Sequence, residues 1–344
     1  MLAARAMAGV LLATAGYDHT IRFWEAPTGH CYQTLQHPDS QVNQLQIAPD
    51  RQKLAAAGNP TLRLFDINAG PPSAVTTYDG HSSNVTSVGF EADGRWMYTA
   101  SEDGTLKLWD LRAAGVQREF ASGSPINSVA LHPNQAELIS GDRDGNIRVW
   151  DLGQNACSSE LVPDGDKSIQ SLSVARDAST LAAANVHGTV FLWRITHVTT
   201  GGGGGTLEPP GVKPAALPEP RSSPAVAPSS RIRIEPLQKL QAHASYIIRC
   251  IISPDCTRLA TTSADHTVKI WDMTNNFACE ETLTGHQRWV WDAVFSADSD
   301  YLVTASSDQT ARLWALDQAQ TIQHYSGHHK AVTAVAMHDK PPGT

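Results

Sequence analysis

The stretch HQRWVWDAVFSADSDYLVTASSDQTARLW (286–314) decides the fold of this chain. It divides into three short strands. WVWDAVF alternates, a Ser-Ala-Asp-Ser-Asp turn follows, then YLVTAS, a second turn at Ser307-Asp308-Gln309, and TARLW. β-Branched and aromatic residues at period two, cut by Ser and Asp, mark strands joined by hairpins, and no helical period fits them. A unit this small cannot bury its apolar face alone, so it predicts copies of itself.

The copies run from end to end. Aligning on the last aromatic gives Trp24, Phe65, Trp109, Trp150, Trp193, Trp271 and Trp314, at steps of 41, 44, 41, 43, 78 and 43 residues. A period near 41–44 that closes on Trp-Asp, as at Trp109-Asp110, Trp150-Asp151 and Trp271-Asp272, is that of a four-stranded propeller blade. The long step holds a segment from 198 to 230 with five consecutive glycines and seven prolines, which buries too little to offset its ordering entropy. It reads as a disordered insertion between the third and fourth strands of blade five. The first copy starts on its second strand, LLATAG, and AVTAVAMH (331–338) is a first strand with nothing after it. Each end supplies what the other lacks, and pairing them removes two exposed edges. The expectation is one all-β, seven-bladed propeller over 1–344, closed by the C-terminal strand entering the N-terminal blade.

A length of 344 residues supplies a sizeable core, and a single ring uses all of it. The net charge of −8 argues against nucleic acid, whose binders show a basic face. Five cysteines at strand-like positions, without paired spacing, point to a reduced, cytoplasmic compartment. The apolar N-terminus could pass for a signal peptide, but Leu11–Ala15 is also the second strand of blade one, and cleavage would remove it. No apolar run reaches the ~20 residues of a membrane span.

Six residues before each terminal aromatic stand Asp18, Asn59, Asp103, Asp144, His187, Asp265 and Asp308; four earlier come Thr14, Ala55, Thr99, Ser140, Ala183, Thr261 and Thr304. A His precedes the first strand at His81, His243, His286 and His328. His, hydroxyl and Asp suggest a catalytic triad. Repetition argues otherwise, because catalysis needs the set once and a scaffold needs it in every unit. The two blades that lose Asp also lose the hydroxyl, as an interdependent hydrogen-bond network would. Asp142–Asn146 lacks the further oxygens of a calcium loop and reads as a tight turn. The five glycines lack the Lys-Ser/Thr of a phosphate loop. Cys250 and Cys256 have no partner pair for zinc, and Asn84-Val-Thr86 is a glycosylation sequon that a cytoplasmic chain leaves unused. No catalytic residue, cofactor or metal is expected.

The first strand of each blade lines the channel, and the residues flanking its apolar start approach one rim: Gln41/Asn43, Asn84/Thr86, Pro125/Asn127, Ser168/Gln170, Tyr246/Ile248, Trp289/Trp291 and Ala331/Thr333. Tyr17, Gly58, Glu102, Arg143, Val186, Ala264 and Ser307 join them from the turns. Most are small or polar. Blades six, seven and one instead offer Tyr246, Ile248, Trp289, Trp291 and Tyr17, with Arg288 beside them. Trp and Tyr dominate interface hot spots, so these six are the candidate partner site.

These residues resemble the WD-repeat family. On its pattern the structural tetrads are His81–Thr99–Asp103–Trp109, His243–Thr261–Asp265–Trp271, His286–Thr304–Asp308–Trp314 and His328–Thr14–Asp18–Trp24. Blade four lacks the His, and blades two and five, which depart most, should be the least rigid. Longer stretches at 11–45, 93–112, 125–152, 263–271 and 303–314, with the turns Tyr17-Asp18-His19-Thr20 and His132-Pro133-Asn134-Gln135-Ala136-Glu137-Leu138, resemble the G-protein-β-subunit-like WD-repeat subunits of the target-of-rapamycin kinase complexes. The insertion is a departure from that family. The resemblance implies a non-catalytic scaffold, monomeric by itself and cytoplasmic, drawn to endomembranes only through its complex. It would dock on the C-terminal lobe of the target-of-rapamycin kinase, beside other complex subunits, and steady the active site. A ubiquitin-ligase substrate adaptor is the alternative, but the blades leave no room for an appended adaptor-binding segment. A heterotrimeric G-protein β-subunit would need an N-terminal coiled coil, for which ten residues are too few.

Overall fold

The computed structural model of the chain describes residues 9–38, 40–69, 74–113, 115–198 and 231–339. The described residues form seven four-stranded antiparallel sheets. Their first strands are Val332–His338 in blade one, then Gln44–Ile47, Val85–Phe90, Ile126–Leu131, Ile169–Val174, Ile247–Ile252 and Val290–Phe295 in blades two to seven. Each packs against the next around a common axis, and the last packs against the first. This is the closed seven-bladed propeller that the repeats imply.

Closure occurs in blade one, whose strand order is Val332–His338, Leu11–Gly16, Thr20–Glu25 and His30–Gln36. The register runs from Leu11 opposite His338 to Gly16 opposite Val332. The seam is packed as well as hydrogen-bonded. Trp24 of blade one meets Tyr325 of blade seven at 5.6 Å between centroids, and Tyr325 donates to the Ala26 carbonyl at 2.8 Å. Burying an aromatic ring of this size contributes roughly 4–6 kcal/mol.

In blades two and five the blades wedge together over second strands of small side chains. Ala55–Ala57 and Ala182–Ala184 are all fully buried second-strand residues. Farther out, Trp314 and Leu316 of blade seven share one cluster with Val268, Ile270 and Leu283 of blade six. The alternation that marks strands in the sequence is thus the alternation between the two flanking blades.

Two local features position the surface discussed below. Six of the seven first strands open with a β-bulge against their second strands. The bulged residue stands out of the ladder, so its side chain is re-aimed. In blade five the third and fourth strands, Thr189–Val198 and Arg231–Gln241, form the longest hairpin of the ring. The expected insertion joins their ends and, apart from Val198, lies outside the described residues. By strand direction it leaves from the rim opposite the bulges. The cysteine expectation needs one correction. Cys31, Cys157, Cys250 and Cys279 lie in strands, but Cys256 occupies a turn with φ of 61°. All five are free thiols.

Candidate interaction surface

The upper rim, where the first strands begin and the second-to-third-strand turns lie, is held by four repeated networks. His81 contacts Asp103 at 2.9 Å through Nδ1 and Thr99 at 2.7 Å through Nε2, while Trp109 Nε1 donates to the Thr99 hydroxyl at 2.9 Å. Blade six repeats this with His243, Asp265, Thr261 and Trp271 at 2.8, 2.8 and 3.0 Å. Blade seven does so with His286, Asp308, Thr304 and Trp314 at 2.8, 2.8 and 2.9 Å. Across the seam, His328 reaches Asp18 and Thr14 at 2.8 Å each, and Trp24 reaches Thr14 at 2.7 Å. The carboxylate fixes the Nδ1–H tautomer, so Nε2 accepts the Thr proton while the Thr oxygen accepts from Trp. The hydroxyl is buried and doubly engaged, which suits a tie rather than a nucleophile.

These ties make folding acid-sensitive. Burial works to raise the Asp103 carboxyl, but bonds from Thr105, the Ser82 amide and His81 outweigh it and lower it to about 2. Asp18 and Asp308 are likewise held well below the usual range, against burial, chiefly by His328 and His286. Burial lowers His81 and His243, which their carboxylates oppose. Depressed acids stabilise fully above their unfolded value near 4 and lose that stability as pH falls through the folded value; depressed histidines lose theirs below about 6.5. Melting temperature should therefore fall in two stages on acidification, shallow below about pH 6.5 and steep between about 4 and 2. Circular-dichroism melts from pH 8 to 2 test this, and Asp103→Asn should flatten the steep stage.

The irregular blades hold surprises. Blade four keeps Trp150 on Ser140 at 2.8 Å, but Asp144 is exposed, contrary to its alignment with the tetrad acids. The buried acid is Asp142, paired with Arg148 at 2.5 Å, and Arg148 also bonds Ser122, which stands where the four tetrad blades have His. Arg148 is long enough to span the space that an imidazole fills elsewhere. Blade two does have a buried histidine, His37, missed because one extra residue separates it from its strand. Its Nδ1 bonds the Ser40 carbonyl at 3.0 Å.

The bulged residues, with Asn43 at the same position of the unbulged blade two, form a ring around the channel mouth. Thr333 donates to the Val42 carbonyl at 2.6 Å, Asn43 to Val85 at 2.9 Å, Thr86 to Ile126 at 2.7 Å and Asn127 to Ile169 at 2.7 Å. Each ties its blade to the next. At the junctions of blades six with seven and seven with one, the equivalent residues are Ile248, which has no side-chain donor, and Trp291, whose indole N–H is given to Ser307 of its own blade at 2.5 Å. One position deeper, Arg249 and Asp292 take over. The Arg249 guanidinium lies 3.1 Å from Asp292, whose carboxylate accepts from the Ala293 and Val335 amides at 2.9 and 3.0 Å. Burial pushes the Asp292 carboxyl up, against Arg249 and those two amides. The other described blades carry Gln44, Ser87, Ser128, Ser171 and Ala334 here. That contrast was available by aligning the first strands, and sequence reasoning passed over it.

Relieved of the tying task, the rim of blades six, seven and one is free to be apolar. Trp291 sits edge-on to Tyr17 at 6.4 Å across the seam and tilted against Trp289 at 5.8 Å. Trp289 is 43% exposed, Tyr17 39% and Tyr246 55%. Arg288 is exposed beside them, and Ile248 and Trp291 are half-buried. Tyr17, Ile248 and Trp291 also line a mouth cavity of about 230 Å³, with Arg249 and Asp292 at its floor. Tyr17, Trp291 and Trp289 are in ring contact and Ile248 shares the cavity with the first two, while Tyr246 and Arg288 are exposed at the starts of the neighbouring first strands.

The repeat family described as "WD domain, G-beta repeat" matches residues 29–66, 72–110, 116–151, 234–272 and 277–315. The chain is 50% identical to "Target of rapamycin complex subunit LST8" of Saccharomyces cerevisiae, over 96% of this chain and 99% of that protein. The chain belongs to the LST8 family of WD-repeat proteins. It is also 49% identical to "Target of rapamycin complex subunit wat1" of Schizosaccharomyces pombe over 96% of both chains. With "Target of rapamycin complex subunit LST8-1" of Arabidopsis thaliana it shares 52% over 80% of this chain and 81% of that one. In this LST8-family chain each repeat is offset from its blade by one strand. The first match, 29–66, joins the outer strand of blade one to the inner three strands of blade two. Repeats therefore interlock blades along the chain as the terminal strand interlocks the ends.

Proposed function

We propose that this chain is a non-catalytic subunit of a target of rapamycin complex and that it docks on the C-terminal lobe of the kinase through the upper rim of blades six, seven and one, steadying the kinase active site. Support for subunit status comes from the names of its relatives. The observation that carries the docking face is that Ile248 and Trp291 stand at ring positions which in blades one to four, as Thr333, Asn43, Thr86 and Asn127, tie each blade to the next, and which in blade five hold a polar Gln170 bonded to Ser168 of its own blade. Residues removed from a structural duty and placed beside exposed Trp289, Tyr17 and Tyr246 have the character of an interface centre. The scaffold role fits the four repeated tetrads, whose His, Thr and Asp groups satisfy one another.

The test is affinity purification of the tagged chain beside Trp289→Ala/Trp291→Ala, with a melt of each. The kinase should accompany the wild type and fall by more than about tenfold in the variant, as loss of two central aromatics implies, at a melting temperature within a few degrees. Kinase retained by the variant removes this face from the interface. Ubiquitin-ligase components in place of the kinase would replace the reading altogether.

A further inference from the structure

The polarity of the mouth cavity follows from the ties around it. Asn43 and Asn127 turn their amide nitrogens to backbone carbonyls of the next blade, and Thr86 and Thr333 commit their hydroxyl protons likewise. The ring consumes donors. What the two amides leave unengaged is oxygen, and among the described residues no group donates to Oδ1 of Asn43 or Asn127. Asn84 shows the same bias more sharply. Its nitrogen donates to Glu102 at 3.1 Å, and its Oδ1 is buried with no partner. Glu102 adds a carboxylate to the same cavity.

The wall across the channel, from blades seven and one, is the edge-on pair Trp291 and Tyr17. A cation can lie over such rings while its protons reach the oxygens opposite. The floor does not oppose this, because the Arg249 charge is matched by Asp292 at 3.1 Å. The net charge of −8 favours approach of a basic segment. We infer that the channel mouth receives one basic side chain, a lysine or arginine presented by the docked partner. This deepens the docking reading by naming what its partner inserts at the edge of the aromatic patch. Arg143, 3.3 Å from Glu102 and half-exposed, occupies the outer side of that carboxylate in the free chain.

Saturation-transfer NMR on the full chain tests the pocket without any kinase, so this inference and the docking reading fail separately. The probes are N-acetyl-arginine amide, N-acetyl-lysine amide, the neutral isostere N-acetyl-citrulline amide and N-acetyl-glutamate amide. The arginine and lysine probes should bind about tenfold tighter than citrulline, the difference expected of hydrogen bonds to a charged group. Glu102→Gln, whose side chain is about a third exposed and outside the core, should erase that preference at an unchanged melt. Arg143→Ala should strengthen arginine binding. Equal binding of arginine and citrulline, absence of binding by all four probes, or a preference for glutamate would each overturn the inference, the last by making Arg249 the recognising group.

Discussion

Asp292→Ala is expected to destabilise the chain by about 3–5 kcal/mol, as loss of one partner from a buried ion pair does. The carboxylate is buried and serves three groups: the Arg249 guanidinium and the amides of Ala293 and Val335. Removing it strands a guanidinium whose side chain is only 26% exposed and leaves the Val335 amide of blade one without its bond to blade seven. No tie from the bulge ring can compensate, because Ile248 and Trp291 hold the positions where one would be. Arg249→Leu/Asp292→Leu should recover part of the loss, since an apolar pair removes the stranded charge but not the unpaired amides. Urea unfolding of Arg249→Leu, Asp292→Leu and the double would show coupling well above about 1 kcal/mol. Additive effects, or a loss below about 1 kcal/mol for Asp292→Ala, would mean that the pair carries no load at these junctions.

Thr304→Val comes next. The change conserves shape and deletes one oxygen that accepts from Trp314 and bonds His286. Two buried polar atoms lose their partner at about 1–3 kcal/mol each, giving roughly 2–6 kcal/mol. Ser140→Ala in blade four is the internal comparison, for among the described residues the Ser140 hydroxyl serves Trp150 alone, and its loss should cost about half as much. Equal losses from the two variants would show that the histidine gains nothing from the hydroxyl, and the network would reduce to a Trp–Thr bond.

The ring was legible in the sequence because its causes repeat. Period-two alternation, Trp-Asp endings and the complementary termini each recur or match elsewhere in the chain, so a local misreading is outvoted. The tetrad sets were legible for the same reason. What escaped reading was the irregular chemistry. His37 was hidden by one inserted residue, Asp142 by lying two positions from the expected acid, and Arg148 by sharing its strand position with basic residues of other blades, among which it is paired with the buried Asp142. Arg249 and Asp292 escaped for a different reason. Aligning the first strands shows each as a departure from its small or amide counterparts, but their meaning depends on the contact between the inner strands of adjacent blades six and seven, which the patterning of a single strand does not display. The aromatic edge could be named from the sequence, but not why it was free to be aromatic. That required seeing Thr333, Asn43, Thr86 and Asn127 engaged on the next blade.

Tyr17 lies in the first hairpin of the chain and Trp291 in its last complete blade, yet their rings meet across the seam that Val332–His338 closes. An unfinished or clipped molecule would present the two halves of this patch on separate edges. Recognition by a partner that grips both would therefore discriminate between a shut ring and an open one, without any separate inspection of the fold. Immature copies would be passed over in assembly, and the exposed Leu11–Gly16 edge would mark them for chaperones instead.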